Sequence, residues 1–585
     1  MTAATPKAAG SAAASDPSRP RKVLGPLIGL LLGMFVSMLA TTVVSTSLPV
    51  IVHDLGGTQA TYTWVITATL LTTAISTPIW GKLADLFSRK LLFQLAITIF
   101  VLASATAGFA QDPSMIITSR AAQGLGAGGL AALAQVIMAD IISPRERGRY
   151  MGLMGAVMAV ATIGGPLLGG VITDAWGWRW NFFVALPVAV VALVIVQFQL
   201  HLPKYAKRRV SIDYVGIVLL SAAVSLLLIW VTNAGTDYDW ISWTTVWMVG
   251  GAVLAAVAFV LVELKAREPL IPLTLFRDRT FTLATLASIA TGIAMFGASV
   301  FLSQYMQLAR GATPTQAGLM TIPMIAGLLV SSVVVGQLIS RFGAWKPYLI
   351  TGAVLLIAGS TLLSTIHFDT DFTLVSIYMF LLGAGVGATM QNLVLVVQNS
   401  ADPRNMGVAS SGVTFFRTLG GSIGVAVMGA TLATTVADLL RAKADAIAAA
   451  VMSLGDQAPF WAEQVRSDSL PAVATMPEPL RIIFEDAYAR GISQSFLIVV
   501  PFAVLSLFAI VFLPNKPLTH MTTAERVTAD AAVASAEQPT EGASAAGTSG
   551  SGASGTAVSA AGEAAIAGEL SAPGADGEAN DKVRP

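Results

Sequence analysis

The sequence predicts an all-α membrane protein of fourteen spanning helices, and three observations carry that prediction. Of its 585 residues, 55% are hydrophobic and only 11% are charged, against roughly a quarter charged in soluble domains. So few charges cannot solvate an ordinary surface, whereas a lipid-facing exterior needs almost none. The apolar residues also fall in long runs, each near the ~20 residues that a helix needs to cross roughly 30 Å of hydrocarbon. Finally, basic residues gather in alternate gaps between the runs, as the positive-inside bias requires.

In chain order, residues 24–51, 60–81, 91–110, 113–140, 149–172, 180–200 and 213–233 read as spans one to seven. Spans eight to fourteen follow at 244–264, 281–304, 315–338, 347–366, 373–399, 408–435 and 492–514. The first run is too long for a signal-peptide core and no A-x-A-type site follows it closely, so it reads as a span. Segment 437–490 carries Asp, Glu, Arg and Pro and reads as an extracytoplasmic loop; its amphipathic stretch 481–490 suggests a connector or an outer lid. Residues 1–22 and 515–585, rich in Ala, Gly, Ser, Pro or Glu, read as disordered cytoplasmic tails.

Loop charge tests the count. With the N-terminus inside, the cytoplasmic gaps hold Lys82, Arg89 and Lys90; Arg145, Arg147 and Arg149; Lys204, Lys207, Arg208 and Arg209. Lys265, Arg267, Arg277 and Arg279, then Arg341 and Lys346, then Arg404 continue the series. The opposite gaps hold Asp54, Asp112, Asp237, Asp239, Asp369 and Asp371. One span more or fewer before residue 400 would break this alternation, so both termini are expected in the cytoplasm of a bacterial cell, with the chain in its inner membrane.

Composition excludes several functions. A net charge of +1 gives no field for phosphate backbones, so no nucleic-acid partner is expected. The absence of Cys removes disulfides, thiolate metal sites and cysteine nucleophiles. His53, His201, His367 and His520 lie too far apart to suggest a metal site. No Walker motif is present, and no G-x-S-x-G elbow is tied to a strand. An enzyme, an ATP-driven pump and a bound cofactor are therefore not expected.

An internal repeat organises the spans. Gly124-Leu-Gly126-Ala-Gly128 in span four matches Gly383-Ala-Gly385-Val-Gly387 in span twelve, and Pro144-Arg145 with Gly148 matches Pro403-Arg404 with Gly407. Gly81-Lys-Leu-Ala-Asp-Leu-Phe after span two resembles Gly336-Gln-Leu-Ile-Ser-Arg-Phe after span ten. Both relations join helix n to helix n+8. The chain thus divides into a six-helix bundle over 23–200, an inserted pair over 201–265 and a second bundle over 266–514. Parallel repeats of this kind place a substrate site near the midplane between halves.

Seven motifs give a family resemblance. Gly81-Lys82-Leu83-Ala84-Asp85-Leu86-Phe87-Ser88-Arg89-Lys90 resembles the loop motif that follows span two in the major facilitator superfamily. That resemblance implies a conformational latch on Gly81, Asp85 and Arg89, although Leu86 and Ser88 replace the usual Arg and second Gly. Arg120-Ala-Ala-Gln123-Gly124-Leu-Gly126 resembles the family's span-four motif, implying that Arg120 and Gln123 act near proton transfer; a charge inside a span is by default functional. Gly164-Gly165-Pro166-Leu-Leu-Gly169-Gly170 is similar to the G-P-x-x-G-G motif of antiporters, where small residues permit close helix contact. Trp178-Arg179-Trp180-Asn181-Phe182-Phe183, Ile212-Asp213-Tyr-Val-Gly216, Glu268-Pro-Leu-Ile-Pro and Phe416-Arg417-Thr-Leu-Gly420-Gly421 are similar to patterns of the fourteen-span drug:proton antiporters.

The resemblance covers about residues 24–514 and implies a major facilitator fold of two six-helix bundles plus two helices. It implies export of lipophilic drugs by alternating access, with protons exchanged, by a monomer surrounded by membrane lipids. Span one departs from the pattern: the group's membrane-embedded acid is here Ala40, in Leu39-Ala40-Thr41-Thr42. No Asp or Glu occupies the middle of any span, so the proton-coupling candidates are Asp54 and Asp140, tuned by Arg120 or Arg417. Thr41, Thr42, Ser45, Gln304, Gln307, Gln391 and Asn392 are candidates for the substrate pathway, where interhelical hydrogen bonding is the competing role. The missing acid also keeps open the export of a lipid or envelope precursor. A receptor or scaffold is the alternative of another class.

Overall fold

A computed structural model describes residues 24–519 apart from 57–58, 203–211, 235–237, 313, 467–472 and 474–475. The expected tail 1–22, all but the first residues of the tail 515–585, and Lys204, Lys207, Arg208 and Arg209 lie outside the described residues. Every extended element among the described residues is helical.

The first half contains α1 (Leu24–Asp54), α2 (Gln59–Leu86), α3 (Arg89–Gly108), α4 (Pro113–Ile141), α5 (Pro144–Trp176), α6 (Trp180–Phe183) and α7 (Ala185–Gln199). The inserted hairpin follows as α8 (Tyr214–Asn233) and α9 (Trp243–Glu263). The second half holds α10 (Arg279–Gln304), α11 (Pro314–Met320), α12 (Ile322–Phe342), α13 (Lys346–Leu363) and α14 (Phe372–Ser400). It ends with α15 (Met406–Ala442), α16 (Ala444–Met452), α17 (Ala458–Arg466) and α18 (Glu478–Phe512). Spans six and ten are each split, as α6 with α7 and α11 with α12.

Local chemistry sets the helix starts. Asp112, Asp213, Asp278 and Asp371 each sit at an N-cap and accept a backbone N–H from the first turn, at 2.7–2.8 Å. The Ser114 hydroxyl and the Met115 amide hold the exposed Asp112 carboxyl below its ordinary range. Thr373 does the same for Asp371, through its hydroxyl and its amide. Pro113 and Pro144 occupy first-turn positions where no amide donor is needed. Gly343, at a φ of 71°, ends α12 in the left-handed region.

Twelve helices among the described residues are long and apolar enough to cross a membrane on their own. The other two of the fourteen expected spans are α2 and α5, of 28 and 33 residues, α2 rich in Thr and α5 in Gly. Helix α2 packs along α4 and α15, and α5 along α1 and α12, so both face protein more than lipid. Helix α9 is the reverse: its apolar residues Trp247, Leu254 and Leu261 are exposed, as for a peripheral lipid-facing hairpin.

Segment 437–490 is mostly helical, contrary to its reading as a loop. Helix α15 runs on to Ala442, and α18 begins at Glu478, fourteen residues before the expected start at 492. The stretch 481–490 is therefore the first turns of α18, not a separate lid. Its charges are paired locally, Asp486 with Lys443 at 2.6 Å and with Arg490 at 2.9 Å, while Leu480, Phe484 and Ala487 are buried. Charge content alone concealed a helix whose polar face is neutralised in this way.

The halves meet at the end that carries the basic loops, through two glycine seams. At the first, a Cβ on Gly407 of α15 would lie 2.2 Å from the carbonyl oxygen of Gly81 in α2. At the second, a Cβ on Gly336 of α12 would lie 2.4 Å from the carbonyl oxygen of Gly148 in α5. The internal repeat equates Gly81 with Gly336 and Gly148 with Gly407, so the second seam is the first with the halves exchanged. Both demand backbone against backbone, which any side chain prevents.

The seam can be tested with a reporter in this cysteine-free chain. Ala139 on α4 is fully buried among second-half residues, so Ala139→Cys should label slowly with a soluble maleimide. Adding Gly336→Val should raise labelling several-fold by preventing closure. Equal labelling in the two backgrounds would refute the seam.

Candidate functional site

Behind the first seam lies a network of buried ions. Asp85, at the end of α2, accepts the amide of Gly407 at 2.8 Å and that of Val408 at 3.0 Å. It thereby caps the first turn of α15 across the gap between halves, where a carboxylate suits both the free amides and the helix dipole. Arg89 stands 3.5 Å from Asp85, donates to the Ala84 carbonyl at 3.0 Å, and forms a buried ion pair with Asp140. Lys82 pairs with Glu268 at 2.9 Å, tying the same turn to the linker between α9 and α10. The predicted latch residues Gly81, Asp85 and Arg89 thus come together, and Asp140, expected near proton coupling, joins them.

A second polar knot was not anticipated from the sequence. Arg147, fully buried on α5, donates to Gln398 of α14 at 2.7 Å and to the carbonyls of Ala139 and Ile142, both at 2.9 Å. Gln398 in turn donates to Ser410 at 2.9 Å and to the Gln135 carbonyl at 3.3 Å. Arg147 had counted only toward loop charge. The signal that would have found it is a pair of amide side chains, Gln135 and Gln398, inside otherwise apolar spans.

Two arginines lie deeper in the bundle. Arg120 on α4 donates to Gln123 at 2.5 Å, and Gln123 donates to Ser104 at 2.6 Å; the Arg120 Nε has no partner. Arg417 on α15 donates to the Met390 carbonyl at 3.2 Å. Both side chains are buried, and no carboxylate pairs with either among the described residues. Next to Met390, Gln391 approaches the sulfur of Met158 in the opposite half at 3.5 Å, so this region borders the interface. The side-chain oxygens of Gln391, Asn392 and Gln304 are buried without partners. Buried polar atoms left this way carry a penalty that a ligand or water relieves.

The remaining predicted residues are distributed differently. Asp54 is half-exposed at the acidic end, accepting from Trp178 Nε1 at 2.8 Å and Arg179 at 3.1 Å, far in sequence and environment from Asp140. Thr42 donates to the Ala161 carbonyl of α5 at 3.0 Å and Thr41 to the Ser37 carbonyl at 2.9 Å, so both have interhelical or local partners. Gln307 donates to the Ser303 hydroxyl at 3.1 Å. The Ser45 and Pro166 side chains lie outside the described residues. In the span-five motif, Gly165 and Gly169 press on Thr42 and Val43 of α1, whereas Gly164 and Gly170 face open space. Ala40 is buried in the first-half core, where a lone carboxylate would be strongly penalised.

Two helical bundles that close on one another through polar, separable contacts define a secondary membrane transporter, not an enzyme. The Major Facilitator Superfamily model matches residues 30–425, and the chain belongs to that family. It is 34% identical to the Multidrug transporter protein MdtP of Bacillus subtilis over 75% of this chain and 80% of that protein. It is 32% identical to the Efflux pump dotC of the fungus Dothistroma septosporum over 86% of this chain and 85% of that one. The structure of the proton:xylose symporter XylE superimposes with a TM-score of 0.55 at 12% identity, covering 87% of this chain and 98% of that one. The last likeness concerns the fold alone.

The Arg147–Gln398 bond offers a direct check on the knot. Arg147→Met and Gln398→Leu should each lower thermal stability in detergent, and a double-mutant cycle should give a coupling of about 1–3 kcal/mol, as for a charged hydrogen bond. A coupling near zero would contradict the contact.

Proposed function

We propose that this chain exports lipophilic small molecules, drugs among them, across the bacterial cytoplasmic membrane in exchange for protons, working as a monomer. The basic loops would face the cytoplasm, together with both termini. The observation that carries this reading is the contact between halves at the basic end. It consists of glycine backbone contacts and a few directed polar bonds, which open and re-form without dismantling either bundle. Relatives named as a multidrug transporter and an efflux pump supply the substrate class.

In the cycle we infer, the carboxylates that couple protons sit at the latch. Asp85 and Asp140 share Arg89, so protonating either removes charge that holds the guanidinium in place and loosens the α2–α15 contact. Asp54, at the opposite end, is the first carboxylate an inward-moving proton meets. Arg120 and Arg417 supply fixed positive charge to the interior and disfavour a trapped proton there. The polar atoms of Gln304, Gln391 and Asn392 offer acceptors to a substrate, with apolar neighbours accommodating its body.

Proteoliposomes test this reading. An imposed pH gradient should drive ethidium movement in the direction opposite to proton flow, and dye added alone should move protons. Arg120→Ala should reduce the rate at least tenfold while insertion and thermal stability persist. Absence of gradient-driven transport for any lipophilic dye, cationic, neutral or anionic, would defeat the exporter reading. Full activity of Arg120→Ala would defeat the role given to that residue.

A further inference from the structure

The two seams are related by the internal repeat, but they are not chemically equivalent. Aligning Gly81 with Gly336 sets Lys82 against Gln337, Asp85 against Ser340 and Leu86 against Arg341. Aligning Gly407 with Gly148 sets Val408 against Arg149. The first seam therefore contains a carboxylate that bridges the halves, by capping Gly407 and Val408. The second seam has a hydroxyl in that place and two added guanidinium groups.

A cavity of roughly 330 Å³ opens at this point, lined by Arg149, Gln337, Ser340 and Arg341. No carboxylate lines it among the described residues, and neither Arg149 nor Arg341 has an ion-pair partner there. Outside this lining, Arg145 reaches across from α5 to the Arg341 carbonyl at 3.5 Å. Below the cavity the same two helix faces turn apolar and exposed. On α5, Leu153 lies one turn from Arg149; on α12, Val334 and Val330 follow Gln337 at helical spacing. A cationic polar cup at the basic end thus continues into exposed apolar positions on both helices.

We propose that this is a binding site for one anionic phospholipid, whose phosphate occupies the cup and whose acyl chains lie along α5 and α12. The bound phosphate does at the second seam what the Asp85 carboxylate does at the first: it bridges the halves, contacting Arg149 of one and Arg341 of the other. The lipid thereby favours the conformation closed at the basic end. Charge sign, the polar-to-apolar order along both helices and the place of the cup at a helix end all match a phospholipid more closely than a soluble anion. The inference does not depend on which substrate the protein moves.

Native mass spectrometry of the delipidated full chain provides the test, with phosphatidylglycerol and phosphatidylcholine of identical acyl chains added back. Phosphatidylglycerol should bind at least tenfold more tightly and raise the melting temperature more. Arg149→Gln with Arg341→Gln should erase that preference. Ser340→Asp should also weaken phosphatidylglycerol binding at least fivefold while holding the seam closed, because it supplies the bridging carboxylate from within the chain. If the double variant fails to fold, Ser340→Asp decides the matter. Equal binding of the two lipids, or a preference untouched by Ser340→Asp, would overturn the site. Protection by inorganic phosphate equal to that by phosphatidylglycerol would overturn the lipid assignment in favour of a soluble anion.

Discussion

The architecture depends on the approach of two backbones with nothing between them. Gly81 lies on Gly407, and Gly148 on Gly336, at distances where any Cβ would meet a carbonyl oxygen well inside contact range. Association in a bilayer gains little from hydrophobic burial, since lipid is as apolar as leucine, so close packing and directed polar bonds must hold the halves together. The seams supply the first. They also permit the second, because only such close contact brings Asp85 within reach of amides in the other half.

From this constraint the polar network follows. Asp85 caps a helix that belongs to the other bundle, Arg89 is fixed by two carboxylates, and Arg147 satisfies two carbonyls before it reaches Gln398. Each of these three buried charges therefore has several partners, as burial demands. The same groups would be hydrated if the basic end opened. Exchanging protein partners for water is close to balanced, so a network of this kind resists opening without forbidding it. A seam of interlocked leucines would offer no comparable change in charge for a proton to exploit.

Much of this was legible in the sequence, and the reason is physical. Hydrocarbon thickness fixes span length and loop charge fixes alternation, so fourteen helices emerge even though α2 is rich in Thr and α5 in Gly. The glycines at 81, 148, 336 and 407 were legible as a repeat, because matched sites impose the same steric demand on both halves. What remained hidden depended on pairing in space. Nothing local to Arg147 announces Gln398, and the charges of 481–490 read as loop because Lys443, which neutralises Asp486, lies 43 residues away. Thr42 reads as a polar lining residue until Ala161 is seen to accept its hydrogen bond.

Ala40 gains its meaning from the same geometry. Its side chain is enclosed in the first-half core, with Trp80, Leu130 and Met154 in the same cluster. A carboxylate there would need a partner, and Arg120 is already engaged with Gln123. Among the described residues the interior consequently holds Arg120 and Arg417 with no acid paired to either, while the buried acids Asp85 and Asp140 sit at the seam between halves. In the proposed cycle this moves proton sensitivity from the middle of the membrane to the contact that must break. A proton binding at mid-membrane has to be transmitted to the gate through intervening helices. A proton binding at the latch would act on the gate directly, so under the proposed cycle Ala40 in place of the span-one acid relocates coupling instead of abolishing it.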